Sequence, residues 1–233
     1  MDVSIVIPTY NEKENITPLV EKIINVCHLN KIEFEIIIVD DNSPDGTGEI
    51  ADQLAKKYKN IIVIHRERKL GLGSAYKTGF KKASSEIVVE TDADLSHDPN
   101  NIPKFIELIR KGADVVIGSR YVEGGTIVGW PYQRRLISKS ANALANFILG
   151  MDVKDVTSGY RAYMRRALNK IGIEAVKSEG YAFQLEMVYL ARKRKLQIIE
   201  TPITFVDRKI GTSKLSRNEI LKFFLTVIKL KLR

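Results

Sequence analysis

Cysteine is almost absent from this sequence. The single residue, Cys27, excludes an internal disulfide and a thiolate metal cage, so nothing in the chain demands an oxidising compartment. Long apolar runs are missing too. The longest uncharged stretch, about Ala141–Met151, falls short of the ~20 residues that a helix needs to cross a hydrocarbon core, and no membrane span is expected. No leader of basic, apolar and small residues precedes the strand-like run VSIVIP, from which a cytosolic start is expected. A GxxxxGKS/T loop, an HExxH helix and clustered cysteines are all lacking, which disfavours P-loop hydrolysis and zinc chemistry. Acidic residues are scarce at one end. From Arg208 to Arg233 eight basic residues stand against Glu219 alone, so most of the net charge of +9 sits there. That excess implies an anionic partner: lipid head groups, phosphates or nucleic acid.

What is present is enough chain, 233 residues, to bury one core with an appendage. The first half alternates apolar runs (VSIVIP, FEIIIVDD, NIIVIHR, EIVVETDAD, ADVVIGSRY) with amphipathic stretches expected as helices from about Glu14 to Cys27, Gly46 to Tyr58, Ser74 to Ala83 and Pro99 to Lys111. Strands separated by helix-length segments predict an α/β fold, a mostly parallel sheet with helices on both faces. Ligands of such sheets gather at the carboxyl ends of the strands. The unusual residues lie there: Pro8, Tyr10 and Glu12, then Asp40 and Asp41, then Asp92 and Asp94, then Arg120.

EIVVETDADLSH is the most informative stretch. It reads as a buried strand that ends in two carboxylates, and at period two Asp92 and Asp94 point the same way. Two hard oxygen ligands facing one point suit a Mg²⁺ or Mn²⁺ that takes its remaining ligands from a substrate diphosphate. The alternative is that they cap the following turn. Asp40 and Asp41 have the same two readings: accepting hydrogen bonds from a nucleoside, or capping the next helix behind the turn NSPDGT. KLGLGSAY is a weak match to a dinucleotide fingerprint, since Tyr76 stands where a third glycine belongs, and Gly71 and Gly73 are expected to shape a turn into a helix.

After Tyr121 the character changes. EGGTIVGWPYQRR leads into an amphipathic helix, about 133–149, with Arg135, Lys139, Asn142 and Asn146 along one stripe and Leu136, Ile137, Leu144, Phe147 and Ile148 opposite. Residues 218–233 repeat the design, with Lys222, Thr226, Lys229 and Arg233 on one stripe and Ile220, Phe223, Phe224, Val227 and Ile228 away from it. Such helices ordinarily cover a core. Two basic ones, with Trp130 and Tyr132 at the entry of the first, suggest helices lying in a membrane interface. Between them, DVTSGYRAYMRRAL is read as a strand, YAFQLEMVYLARKRK as a core helix and LQIIETPITFVDR as a strand ending at Asp207 and Arg208. The loop KIGTSKL follows, with Lys214 near Gly211.

IVIPTYNE, IIIVDDNSPDGT, TDADLSHDP, IGSRY, WPYQRRLISKSAN, SGYRAY and FVDRKIGTSKL, in this order over essentially the whole chain, resemble the dolichyl-phosphate mannose synthases, inverting glycosyltransferases of family 2 with the GT-A fold. The resemblance implies a catalytic domain over 1–215 and a basic amphipathic helix over 216–233. It implies that Pro8, Tyr10, Glu12, Val39 and Asp41 hold the guanosine part of GDP-mannose, and that Asp92, Ala93 and Asp94 meet the diphosphate. Arg120, Arg208 and Lys214 would face phosphate groups of donor or acceptor, completing a catalytic set with Asp92 and Asp94. The metal would rest on Asp92 and Asp94, with Ser96 where some members carry a glutamine; His97 or a bridging water is the alternative there. Arg120, Arg134, Arg135 and Lys139 would meet the acceptor phosphate.

The acceptor would be a dolichyl or other polyprenyl phosphate at the cytoplasmic face of a membrane, on which the enzyme is peripheral. A small anchoring subunit is compatible, and nucleic acid is not an implied partner. The lipid phosphate is already an anion, so no strong general base is required, and in-line attack would give a β-linked mannosyl phosphate. A sister enzyme using another sugar nucleotide such as UDP-glucose, and a noncatalytic basic membrane-surface or nucleic-acid module, are the competing readings.

Overall fold

The structure, a computed structural model, describes residues 1–208 and 217–232, without the side chains of 217–220. Lys214 and Gly211 therefore lie outside the described residues. The apolar runs form β1 (Val3–Thr9), β2 (Phe34–Asp40), β3 (Ile61–His65), β4 (Ile87–Glu90) and β5 (Val115–Ser119). Every residue of β1, β2, β4 and β5 is buried, as strands covered on both faces must be. Between them run α1 (Lys13–Leu29), α2 (Thr47–Lys57), α3 (Leu72–Lys82) and, after a 3-10 turn at Pro99–Asn101, α4 (Ile102–Arg110).

Side chains alternate across the sheet. Ile5, Ile7, Ile36 and Ile38 pack with Ile16, Leu19 and Phe105 on one face, while Val6, Ile37 and Val39 pack with Tyr76, Phe80 and Phe183 on the other. Helix α3 can lie this close to β1 only because residue 79 is glycine: a Cβ there would come within 2.2 Å of Val6.

The second half consists of β6 (Thr126–Val128), α5 (Tyr132–Leu149), β7 (Arg161–Met164), α6 (Arg165–Ile171), α7 (Tyr181–Lys193), β8 (Ile198–Pro202), β9 (Thr204–Val206) and α8 (Arg217–Lys231). The main sheet has the order β3-β2-β1-β4-β7-β5-β8, with β7 antiparallel to β4 and β5. The reversal has a simple cause. The chain leaves β5 at the carboxyl rim, stays on that side through α5, and re-enters the sheet from the rim, so β7 runs downward. The expected strand in DVTSGYRAYMRRAL is only β7, because the chain turns into α6 at Arg165. The single strand expected in LQIIETPITFVDR is two strands. Pro202 closes β8, Ile203 donates to the Ser119 carbonyl (3.1 Å), and β9 leaves to pair in parallel with β6 as a separate ribbon. That ribbon sits over the rim, where Val206 N–H donates to the carbonyl of Ser96 (3.2 Å).

The amphipathic helices do not simply turn one apolar side to the protein, as helices that only cover a core would. In α5 it is part of the polar stripe that points inward. Asn142, 2% exposed, receives the amide of Val156 (2.8 Å) and donates to the Ser138 carbonyl (2.8 Å), and Asn146 donates to the Val153 carbonyl (2.6 Å). Leu136, Ile137, Leu144 and Phe147 are exposed, the last at 86%. Helix α8 has two apolar sides. Phe223, Val227 and Leu230 join the core beside α5 and α7, while Leu221, Leu225, Ile228 and Leu232 are exposed. Among the described residues no helix is long and apolar enough to cross a membrane.

Candidate active site

The carboxyl rim is where the sheet stops satisfying its own side chains. Strand β4 ends at Glu90, and the chain then bends, reaching a positive φ of 62° at Leu95. Extended alternation has ended before Asp92 and Asp94, so the two carboxylates have different neighbours. Asp92 accepts from the Tyr76 hydroxyl (3.0 Å) and faces His97 Nε2 at 3.5 Å, and a Cβ at Gly159 would stand 3.1 Å from its Oδ2. Asp94 accepts the amide of Ser96 (3.1 Å), the turn-capping role, and also pairs with Arg208 Nη2 (3.1 Å). Ala93 is buried between them. The Ser96 hydroxyl is buried with no hydrogen-bond partner among the described residues.

Among the described residues no three His, Cys, Asp or Glu side chains cluster as a metal cage. Two carboxylates, one of them already facing a guanidinium, with an orphaned hydroxyl beside them, fit a hard divalent ion that completes its shell with water and substrate oxygens.

Below this rim lies a buried floor. Burial pushes the Glu90 carboxyl up to about 8, against the pull of Arg161, whose Nε is 3.8 Å away. The Tyr163 hydroxyl donates to the same carboxylate (3.3 Å), and Arg161 spends its other donors on the carbonyls of Gln184 and Val156 (2.9 Å each).

The ends of β1 and β2 form the second part of the rim. Pro8 and Val39 are buried partners across the two strands. The Lys69 ammonium stands 3.9 Å from the centre of the Tyr10 ring. Glu12 opens α1, its amide donating to Thr47 Oγ1 (2.9 Å) and its carboxylate accepting from Asn15 (2.8 Å). Asp40 holds the turn and does not cap the next helix: it accepts from Thr9 and from both donors of Ser43, while α2 starts behind Gly46. Asp41 accepts from the Arg66 guanidinium and from the amides of Leu70 and Gly71 (3.2 Å each). Nε and Nη2 of Arg66 face one oxygen and the two amides the other, which fills the roughly four lone-pair sites of a carboxylate, so a ligand here has to displace one of these contacts.

The third part is built around Arg120 at the end of β5. Asp155 holds it in a fork, with Nε and Nη2 each 2.7 Å from a carboxylate oxygen, and Nη2 also reaches Thr157 (2.8 Å). Both partners are buried. Burial alone would push the Asp155 carboxyl up, but the Arg120 charge and its hydrogen bonds outweigh that and leave it below the ordinary range. Arg134 lies over the Trp130 ring at 4.0 Å, and Asp207 receives both its Nη1 (3.2 Å) and Trp130 Nε1 (3.2 Å).

Arg120, Trp130 and Arg134 form the polar end of a cavity of about 390 Å³ whose walls are Leu136, Ile137, Leu144, Phe223 and Phe224. Arg135 and Lys139 are exposed on α5 and do not line it. Asp207 and Arg208, neighbours in the chain, tie this cavity to the acidic rim, since one holds Arg134 and the other Asp94. Tyr76, Asp155, Tyr181, which lines the same cavity, and Asp207 were not singled out as site residues from sequence. Their partners lie 16 to 77 residues away where contacts are direct, and no local pattern marks such pairs.

A parallel sheet with one reversed strand, a D-x-D tip and ligand-facing loops at the carboxyl rim defines a GT-A glycosyltransferase. The model of the family described as "Glycosyl transferase family 2" matches residues 4–172, and the chain belongs to that family. Polyprenol monophosphomannose synthase of Mycolicibacterium smegmatis is 43% identical over 220 residues, 93% of this chain and 82% of that protein. Undecaprenyl-phosphate mannosyltransferase of Micrococcus luteus is 41% identical over 219 residues, 93% of this chain and 88% of that protein. Among solved structures, glucosyl-3-phosphoglycerate synthase of Mycobacterium tuberculosis in complex with Mn²⁺, uridine diphosphate and phosphoglyceric acid superposes with a TM-score of 0.71 at 20% identity, covering 98% of this chain and 78% of that one. At that identity the likeness speaks for the fold alone.

Proposed function

We propose that this glycosyltransferase moves mannose from GDP-mannose to a polyprenyl phosphate such as dolichyl phosphate, at the cytoplasmic surface of a membrane, with inversion at the anomeric carbon. The observation that carries this reading is the joining of an anion site to an apolar groove. Arg120 and Arg134 line a cavity whose other walls are mostly aliphatic and aromatic, with the hydroxyls of Ser138, Ser140 and Thr157 among them, which suits a ligand with a charged head and a hydrocarbon tail. The exposed apolar sides of α5 and α8 extend that groove outward, and are suited to rest in the head-group layer where such a tail resides. The names of the two relatives point the same way.

Asp92 and Asp94, with the Ser96 hydroxyl beside them, would hold a Mg²⁺ or Mn²⁺. When bound, that ion supplies Lewis-acid neutralisation of the departing diphosphate. Arg208, released from Asp94, is placed to face the same phosphates, and Lys214 is read in the same role from sequence. Tyr76 fixes the carboxylate of Asp92. Arg120 and Arg134, held by Asp155 and Asp207, orient the acceptor phosphate without needing to remove a proton from it, since it is already anionic. Pro8, Tyr10, Glu12, Val39 and Asp41 are read as the nucleoside side. An Asp41 oxygen freed from one of its present contacts would suit a ring N–H, which guanine and uracil both offer, so the donor is best decided by assay.

Incubation with labelled GDP-mannose or UDP-glucose, a divalent cation and a short polyprenyl phosphate, followed by organic extraction, tests the proposal. Lipid-linked label is expected from GDP-mannose. Label transferred only from UDP-glucose overturns the choice of donor, and transfer from neither overturns the reaction. A small anchoring subunit is compatible with this docking and would appear by co-purification from membranes.

A further inference from the structure

The acceptor cavity contains a donor that none of the roles above employs. Tyr181 is the first residue of α7, behind Gly180 at φ 59°, and its ring stands in the cavity wall with Arg120, Arg134 and Thr157. Its position is fixed from two sides. Ser178 donates its amide (3.1 Å) and hydroxyl (2.6 Å) to Glu186, and Glu179 receives the amides of Gly73 (2.7 Å) and Ser74 (3.2 Å) from the start of α3. The turn that presents Tyr181 is therefore anchored both to its own helix and to the donor half of the molecule. Burial raises the phenol above its ordinary value, and it feels the charges of Arg120, Asp92, Arg134 and Arg208, so it is a neutral donor between the two halves of the site. No hydrogen-bond partner of its hydroxyl is present among the described residues.

The other donors are more committed. Arg120 spends Nε and Nη2 on Asp155 and Thr157, and Arg134 spends Nη1 on Asp207. A phosphate monoester offers several acceptor oxygens, and a held, uncommitted O–H beside two arginines answers that need. The geometry points to the Tyr181 hydroxyl as a phosphate-binding group of this cavity, donating to the terminal phosphate of the lipid acceptor and setting how deep that phosphate enters. This inference rests on the acceptor reading given above.

Trp130, the only tryptophan of the chain, lines the same cavity and reports on binding through its fluorescence. The full chain and Tyr181→Phe are titrated in detergent with a short polyprenyl phosphate and with the polyprenol of equal length. The unaltered chain is expected to prefer the phosphate. Tyr181→Phe is expected to reduce that preference about tenfold while leaving the alcohol's affinity unchanged, the size of a lost hydrogen bond to a charged group. An undiminished preference in Tyr181→Phe overturns the inference, and so does an equal loss for both ligands, which would mark Tyr181 as mere wall. No preference in the unaltered chain sinks the acceptor reading itself, and the inference with it.

Discussion

Helices α4 and α5 have similar amphipathic patterns and opposite orientations. In α4 the apolar residues Ile102, Phe105, Ile106 and Ile109 are buried against the sheet, with the charges outside. In α5 Asn142 faces inward and Phe147 faces out. Periodicity reveals that a helix has two sides, and says nothing of which side meets the protein. The inward polar side is affordable because Asn142 and Asn146 find backbone partners in the loop that carries Asp155. An outward apolar side is what the proposed docking on a membrane surface would use.

If the acceptor half is an inside-out structure held by buried polar contacts, its keystone is the Arg120–Asp155 pair. Asp155→Asn is expected to cost about 3–5 kcal/mol in urea unfolding, because it leaves a buried guanidinium uncompensated. The pH dependence has a defined sign. The folded carboxyl lies below its usual 3.8, so its contribution is complete above that pH and is lost as pH falls through the lower folded value; Asp155→Asn should lack this acid limb. An unaltered unfolding curve would show that the inward polar contacts are incidental.

On the donor side the proposed chemistry rests on Asp94. Asp94→Ala should reduce transfer about 10²–10³-fold and abolish Mn²⁺ binding seen by electron paramagnetic resonance, with the unfolding midpoint little changed. Retained transfer would remove Asp94 from the reaction. The outward face makes the third test. Phe147→Glu should weaken sedimentation with anionic vesicles about tenfold without altering stability, whereas a drop in stability would mean the residue is packed in solution.

The smallest effect links the halves. Arg208 sits on Asp94 in this structure, so Arg208→Ala should tighten binding of Mn²⁺ alone about two- to fivefold, yet weaken binding of Mn²⁺ together with GDP. A decrease in both would leave Arg208 as a phosphate contact only.

Much of the donor half was legible in the sequence, since buried parallel strands are continuous apolar runs and the polar residues that break them mark the rim. The D-x-D tip was readable as the end of a buried strand, but its geometry was not. Period-two reasoning placed Asp92 and Asp94 on one side, and the strand stops at Glu90, so they face different partners. The reversal of β7, the short β6 and the helix α6 were missed because elements of three to seven residues depend on distant neighbours more than on their own pattern. Tyr76, dismissed as a broken glycine motif, supports Asp92 from the other side of the sheet's rim.

The ribbon formed by β6 and β9 carries a further consequence. The two residues that follow β9 part at once: Asp207 reaches Arg134 while Arg208 reaches Asp94. Inserting a single residue after Val206 would move both one place on, setting the acid where Arg208 now meets Asp94 and leaving Arg134 without its carboxylate. One attraction would become a repulsion and the other would be lost, which makes the length of this short edge as much a part of the machinery as any side chain on it.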